Sequence, residues 1–107
     1  MSYDIHITRA DHWTESTNKP IAMEELKNYF SGKSEFEYSK EFSITGPFSM
    51  TISGEFFIWS NEDVKVPFRY SEGMITISHA DDEVIDKMKE VAAELNAIVQ
   101  GEEGETY

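Results

Sequence analysis

The chain has no cysteine among its 107 residues. That excludes disulfides, a thiolate zinc site and a cysteine nucleophile, and it fits a reducing compartment. Proline is scarce, and the six glycines never form GxGxxG or a Walker loop, so a phosphate cradle has no backbone to build on. Neither a GxSxG elbow nor an HExxH pattern occurs, which leaves serine hydrolase and zincin chemistry without a framework. Long apolar runs are missing as well. The longest is Phe56–Trp59, far too short to cross a bilayer. The first twenty residues hold no apolar stretch, so a cytoplasmic location is expected rather than a secreted one.

Basic residues are the scarcest charged class. Nine Lys and Arg face twenty-one Asp and Glu, a formal net charge of −12. Nine of the acids follow residue 80, against only Lys87 and Lys89. A small domain this acidic repels nucleic acid and anionic membrane surfaces, and it draws in basic partners. Self-repulsion also favours a monomer in the free state.

What is present suffices for a fold. At 39% hydrophobic and 13% aromatic residues the chain clears the compositional limit of disorder. One domain spanning 1–107 is expected, with the acidic segment 101–107 as a frayed, flexible terminus.

Hydrophobic periodicity outlines the elements. Tyr3–Thr8 alternates as a half-buried strand does, and Ala10–Pro20 reads as a polar loop carrying Trp13. Ala22–Phe30 predicts a short helix with Leu26 and Phe30 on one face and Gly32 at its end. Phe36, Tyr38, Phe42, Ile44, Phe48, Met50, Ile52, Phe56 and Ile58 share one parity, expected to face the core. Glu35, Glu37, Glu41, Ser49, Thr51, Ser53 and Glu55 share the other, expected to face solvent. Phe57 and Trp59 fall with the outward set unless a bulge at Gly54 flips them inward. Val64–Tyr70 and Ile75–Ile77 alternate across the Ser71-Glu72-Gly73 turn, and Pro67 points to an edge or to an N–H facing away from the ladder. Val84, Ile85, Met88, Val91, Ala92 and Leu95 make an amphipathic helix with Asp81, Asp82 and Glu83 in its first turn and Asn96 closing it. A short strand, Ala97–Gln100, follows. The resulting expectation is an α+β fold, β-α-β-β-β-β-α-β, with two helices on one face of a mostly antiparallel sheet.

The polar clusters carry little chemistry of their own. His6 and His12, with Asp4 or Asp11, are the candidate ligands of a small metal-dependent enzyme, but their spacing matches no compact metal motif. His79 marks the strand-to-helix junction. The adjacent carboxylates lie in helix starts, turns and the tail, where water equalises their acidities, so acid–base catalysis is not expected. No cofactor is implied.

Both ends of the chain resemble a group of small acidic bacterial proteins of undefined activity: Ser2-Tyr3-Asp4-Ile5-His6-Ile7-Thr8-Arg9 with Trp13, and Gln100-Gly101-Glu102-Glu103-Gly104-Glu105 with Tyr107. In size and charge the chain is also similar to the immunity proteins of contact-dependent inhibition and other polymorphic toxin systems. That second resemblance implies a one-to-one, non-enzymatic inhibitor of a basic toxin domain, often a nuclease. On this reading Asp81, Asp82, Glu83, Glu102, Glu103 and Glu105 are the candidate electrostatic contacts, and Trp13 and Trp59 the candidate anchors. A self-associating module using the Phe57/Trp59 end of the sheet is the remaining alternative.

Overall fold

The computed structural model describes residues 3–107, so Ser2, the first residue of the N-terminal resemblance, lies outside it. The expected element order is present: β1 (Asp4–Thr8), α1 (Met23–Ser31), β2 (Phe36–Ile44), β3 (Met50–Asn61), β4 (Val64–Ser71), β5 (Met74–Ser78), α2 (Asp82–Glu94) and β6 (Ile98–Gly101). The loop after β1 adds a 3₁₀ helix, Trp13–Asn18. Among the described residues no helix is long and apolar enough to cross a membrane.

Local chemistry explains the helix ends. The Asp81 side chain accepts from the Val84 N–H at 2.9 Å and caps α2, satisfying one of the free amides of its first turn. At the other end Asn96 turns left-handed, with φ of 54°, and the Ala97 N–H reaches the Ala92 carbonyl at 2.9 Å. This is a Schellman closure, for which Asn is the usual substitute for glycine. Gly32 ends α1 as expected, but at a φ of −87°.

The six strands form one antiparallel sheet in the order β2-β3-β4-β5-β1-β6. β2 to β5 are a meander, and β1 is inserted between β5 and β6. One core cluster draws on every strand and both helices, with Leu26 and Phe30 from α1 and Val84, Met88 and Val91 from α2. Arg9, just past β1, ties the two helices together. Its guanidinium donates to both carboxylate oxygens of Glu25 on α1 and to the Leu95 carbonyl after α2, at 2.8 and 3.0 Å from Nη2 and Nε. A planar five-donor fork suits two acceptors on different elements.

Of the two face assignments open for β3, the one with Phe57 and Trp59 turned inward is found. Phe57 is 1% exposed and Trp59 is 8%, both inside the helix-side core. Phe56, Ile58 and Ile52 therefore face the other side of the sheet. Between the pairs Ser39/Phe56 and Glu41/Ser53 only Lys40 stands on β2 while Gly54 and Glu55 stand on β3, so the bulge is at Gly54–Glu55, as the sequence offered. Phe36 and Tyr38 belong to the helix-side core before it, while Phe42 and Ile44 line the opposite face beyond it. Pro67 sits in an internal strand rather than an edge. Its stretch of β4 pairs with β3 alone, since pairing with β5 begins at Arg69, so the missing N–H breaks no ladder bond.

Beyond the bulge, Glu41–Ile44 and Met50–Ser53 pair only with each other. They form a two-stranded ribbon that extends past β4. From Phe42 to Gly54 the ribbon carries no charged residue, and its tip exposes Phe48 at 88% and Met50 at 55%.

Candidate functional site

The topology gathers acids that are scattered in the sequence. The β3–β4 turn with Glu62 and Asp63, the β5–α2 junction with Asp81, Asp82 and Glu83, the start of β1 with Asp4, and the turn after β6 with Glu102 and Glu103 all lie at one end of the sheet. β5 and β6 flank β1, so their ends stand about 10 Å apart. The opposite end carries the uncharged ribbon tip.

Within the acidic end the predicted contacts divide by role. Asp82 and Glu83 are exposed, as are Glu102 and Glu103; Glu83 accepts from Asn61 Nδ2 at 2.5 Å. Asp81 is the helix cap described above. Glu105 is an internal clamp: its carboxylate accepts from the Tyr3 hydroxyl, from the Tyr107 hydroxyl at 3.2 Å and from the Glu103 N–H at 3.2 Å. These donors hold the Glu105 carboxyl below the ordinary carboxylate range, the Tyr3 bond most of all. The same bond pushes Tyr3 up to about 12. Tyr3 and Tyr107, 38% and 41% exposed, flank that carboxylate.

Trp13 is half-buried and acts as a tether. Its N–H donates to Gln100 Oε1 at 2.7 Å and its indole Nε1–H to the Glu102 carbonyl at 3.1 Å. The indole stacks on His6 at 4.4 Å and on His12 at 5.8 Å between centroids. The segment expected to fray makes further contacts: Thr106 pairs with Gln100, and the Tyr107 N–H reaches the Val99 carbonyl at 2.9 Å. Trp59 is a core residue, so it offers no surface anchor. Phe57 is buried as well, so neither side chain is presented for the self-association expected at that end of the sheet. His12 caps the 3₁₀ helix through Thr14. Among the described residues no three His, Asp or Glu side chains converge where they could hold a metal ion, which leaves the His6/His12 metal reading without a ligand set.

A second feature went unforeseen. On the face away from the helices, the ribbon overhangs the sheet and encloses a groove of about 510 Å³. Phe42, Ile52 and Phe56 form its ribbon side. Its floor is crossed by one lateral row of paired residues, Phe56, Arg69, Thr76 and His6, on four successive strands, and the row continues outside the groove to Gln100 on β6. His6 is 3% exposed, its Nδ1 is 2.9 Å from Thr76 Oγ1, and its Nε2 has no partner among the described residues. An unpaired buried polar atom costs about 1–3 kcal/mol. Burial pushes the imidazole below its ordinary value, against the opposing charges of Asp4 and Glu102. Ion pairs among the described residues use Arg9, Lys33 and Lys87, and none uses Arg69.

Comparison with protein-family models, with curated proteins and with solved structures returned no match. The site must therefore be read from its own chemistry.

The titrating groups give a signed pH profile. His6, Glu25, Glu94 and Glu105 are all depressed in the folded chain: His6 by burial, Glu25 by Arg9, Glu94 by Tyr29 and Lys33, and Glu105 by Tyr3. Groups of this kind stabilise above their unfolded values and lose that contribution as pH falls through the folded ones. All five tyrosines are raised, Tyr3 and Tyr38 by hydrogen bonds to carboxylates and Tyr29, Tyr70 and Tyr107 chiefly by burial. Their contribution is complete below about pH 10 and fades as pH rises through the folded values. Urea denaturation across pH is expected to show a plateau from about pH 7 to 9.5, with a decline on both sides. Phenolate absorbance of the native protein should titrate above that of the urea-unfolded chain. A coincident titration would show that the tyrosine contacts do not form.

Proposed function

We propose that this protein acts by binding rather than by catalysis, as an immunity-type inhibitor that neutralises a basic toxin domain. The observation that carries this reading is the convergence of acids from four separate stretches at one end of the sheet, with Tyr3 and Tyr107 exposed among them. Aromatic groups inside a charged rim are the usual construction of a tight interface. These tyrosines take the place that Trp59 cannot fill. A nuclease fits best as the target, since it must present cations to phosphate, and a rigid acidic surface can occupy the same groups. Complementary fields also speed capture.

Asp81 and Glu105 hold the fold, so the informative variant is D82N/E83Q/E102Q/E103Q. Lysate from the source organism is passed over the immobilised wild-type protein and eluted with salt. Under this reading one basic protein is retained near one-to-one, and the four-acid variant associates with it at least roughly tenfold more slowly at low salt. The two rates should converge as salt rises. Equal association at low and high salt would exclude this end of the sheet as the interface.

A further inference from the structure

The acidic end leaves the groove on the far face of the sheet without a role. Its volume of about 510 Å³ lies within the range of small-molecule sites, roughly 300–1,000 Å³. Its walls are divided by chemistry. Phe42, Ile52 and Phe56 make one side apolar, and Arg69 and Thr76 stand beside Phe56 in the lateral row. We propose that this groove binds a small amphipathic molecule with a carboxylate head and an apolar body, the head held by Arg69 and Thr76 and the body lying against Phe42, Ile52 and Phe56.

Three observations choose that ligand class. The Arg69 guanidinium has no ion-pair partner among the described residues, in a protein where carboxylates outnumber basic residues by more than two to one. Its planar fork matches a carboxylate in two-point geometry. The two acids that also line the groove stand at its ends: Asp4 beside Ser78, whose hydroxyl it accepts, and Glu72 in the β4–β5 turn. They leave the centre to Arg69. The third is His6, next to Thr76 in the same row. It is nine-tenths buried and lines the groove with an unpartnered Nε2, so the floor holds polar capacity that the chain itself does not use. Phe56, Ile52 and Phe42 place apolar surface beside that head-group position, and this pairing distinguishes the groove from a simple anion site.

The protein's net charge makes the test sharp. Long-range repulsion works against any anion and in favour of any cation, so a preference for the anion must come from the groove. Octanoate, 1-octanol and octylammonium share one tail and differ only in the head. Each is titrated into the full chain and followed by amide and Arg Nε–H chemical shifts. Octanoate should bind saturably at one-to-one, with the largest shifts at Phe56, Arg69 and Thr76, and 1-octanol should bind roughly tenfold more weakly. Arg69→Gln, at an exposed position where refolding is not at risk, should bring octanoate down to the level of 1-octanol. Thr76→Val should weaken octanoate less. Three results would each overturn the proposal: octylammonium or 1-octanol binding as tightly as octanoate, no loss in Arg69→Gln, or shifts centred on Phe48 and Met50 at the ribbon tip. Because Asp82, Glu83, Glu102 and Glu103 do not line the groove, it stands or falls independently of the inhibitor reading.

Discussion

Phe68→Ala is expected to remove about 3–5 kcal/mol of folding free energy, a large share of the margin of a domain of this size. Phe68 is fully buried in the middle of the sheet. Phe36, Trp59 and Phe30 meet it edge-on, with ring centroids 5.1, 6.4 and 6.5 Å away. Its strand is paired on both sides at this point, to Phe57 in β3 and, one residue further on, to β5. The backbone cannot move in to fill the space, and three aromatic partners lose their contacts at once. Urea denaturation will report the loss as a lower midpoint with little change in slope. Phe48→Ala at the exposed ribbon tip should change stability by no more than about 0.5 kcal/mol. Similar losses at the two positions would mean that the core is not where the fold places it.

Gly73→Ala is the second large effect, and its cause is backbone rather than packing. Glu72 and Gly73 form the two-residue turn between β4 and β5, with φ of 54° and 80°. Positive φ at both central residues is the geometry of a type I′ hairpin turn, where the second place belongs to glycine. The turn is also covered. The Ile21 N–H donates to the Gly73 carbonyl at 2.9 Å, and Ser16 Oγ donates to the Glu72 carbonyl at 2.7 Å. A Cβ on Gly73 would lie 2.6 Å from Pro20 Cβ and 2.8 Å from Pro20 Cα. Those atoms belong to a ring and a backbone and cannot turn aside. Strain and collision together should cost about 2–3 kcal/mol and lower the melting temperature by roughly 10 °C or more. A thermal melt of Gly73→Ala that matches wild type would show that the loop before α1 does not pack on this turn.

The two sites differ in how much of them could be read beforehand. The acidic contacts were recognisable as acids, but their roles were not. Asp81 and Glu105 look no different in sequence from Asp82 and Glu103, yet one caps a helix and the other holds two tyrosines. Such roles depend on which amide or hydroxyl comes within 3 Å, and that is a property of the folded chain. The groove was obscured by one residue of register. Alternation in β2 was followed straight past Lys40, which lies opposite the bulge at Gly54–Glu55, so Phe42 and Ile44 were placed with the core. A signal was available in Phe56-Phe57-Ile58-Trp59. Four consecutive apolar residues in a strand mean that both faces are covered, which contradicts a solvated second face.

The sequence by itself determined the order of elements, the apolar faces of both helices, their ends at Gly32 and Asn96, and the sign of the charge. Each of these follows from interactions within a few residues of the chain or from composition alone. Only the tertiary structure decided the insertion of β1 between β5 and β6, the side of the sheet taken by Trp59, the gathering of acids at one end and the row from Phe56 to Gln100. All of these depend on strand pairing between distant segments. A shift of one residue in that pairing exchanges the two faces of a strand, while leaving its local pattern of alternation unchanged.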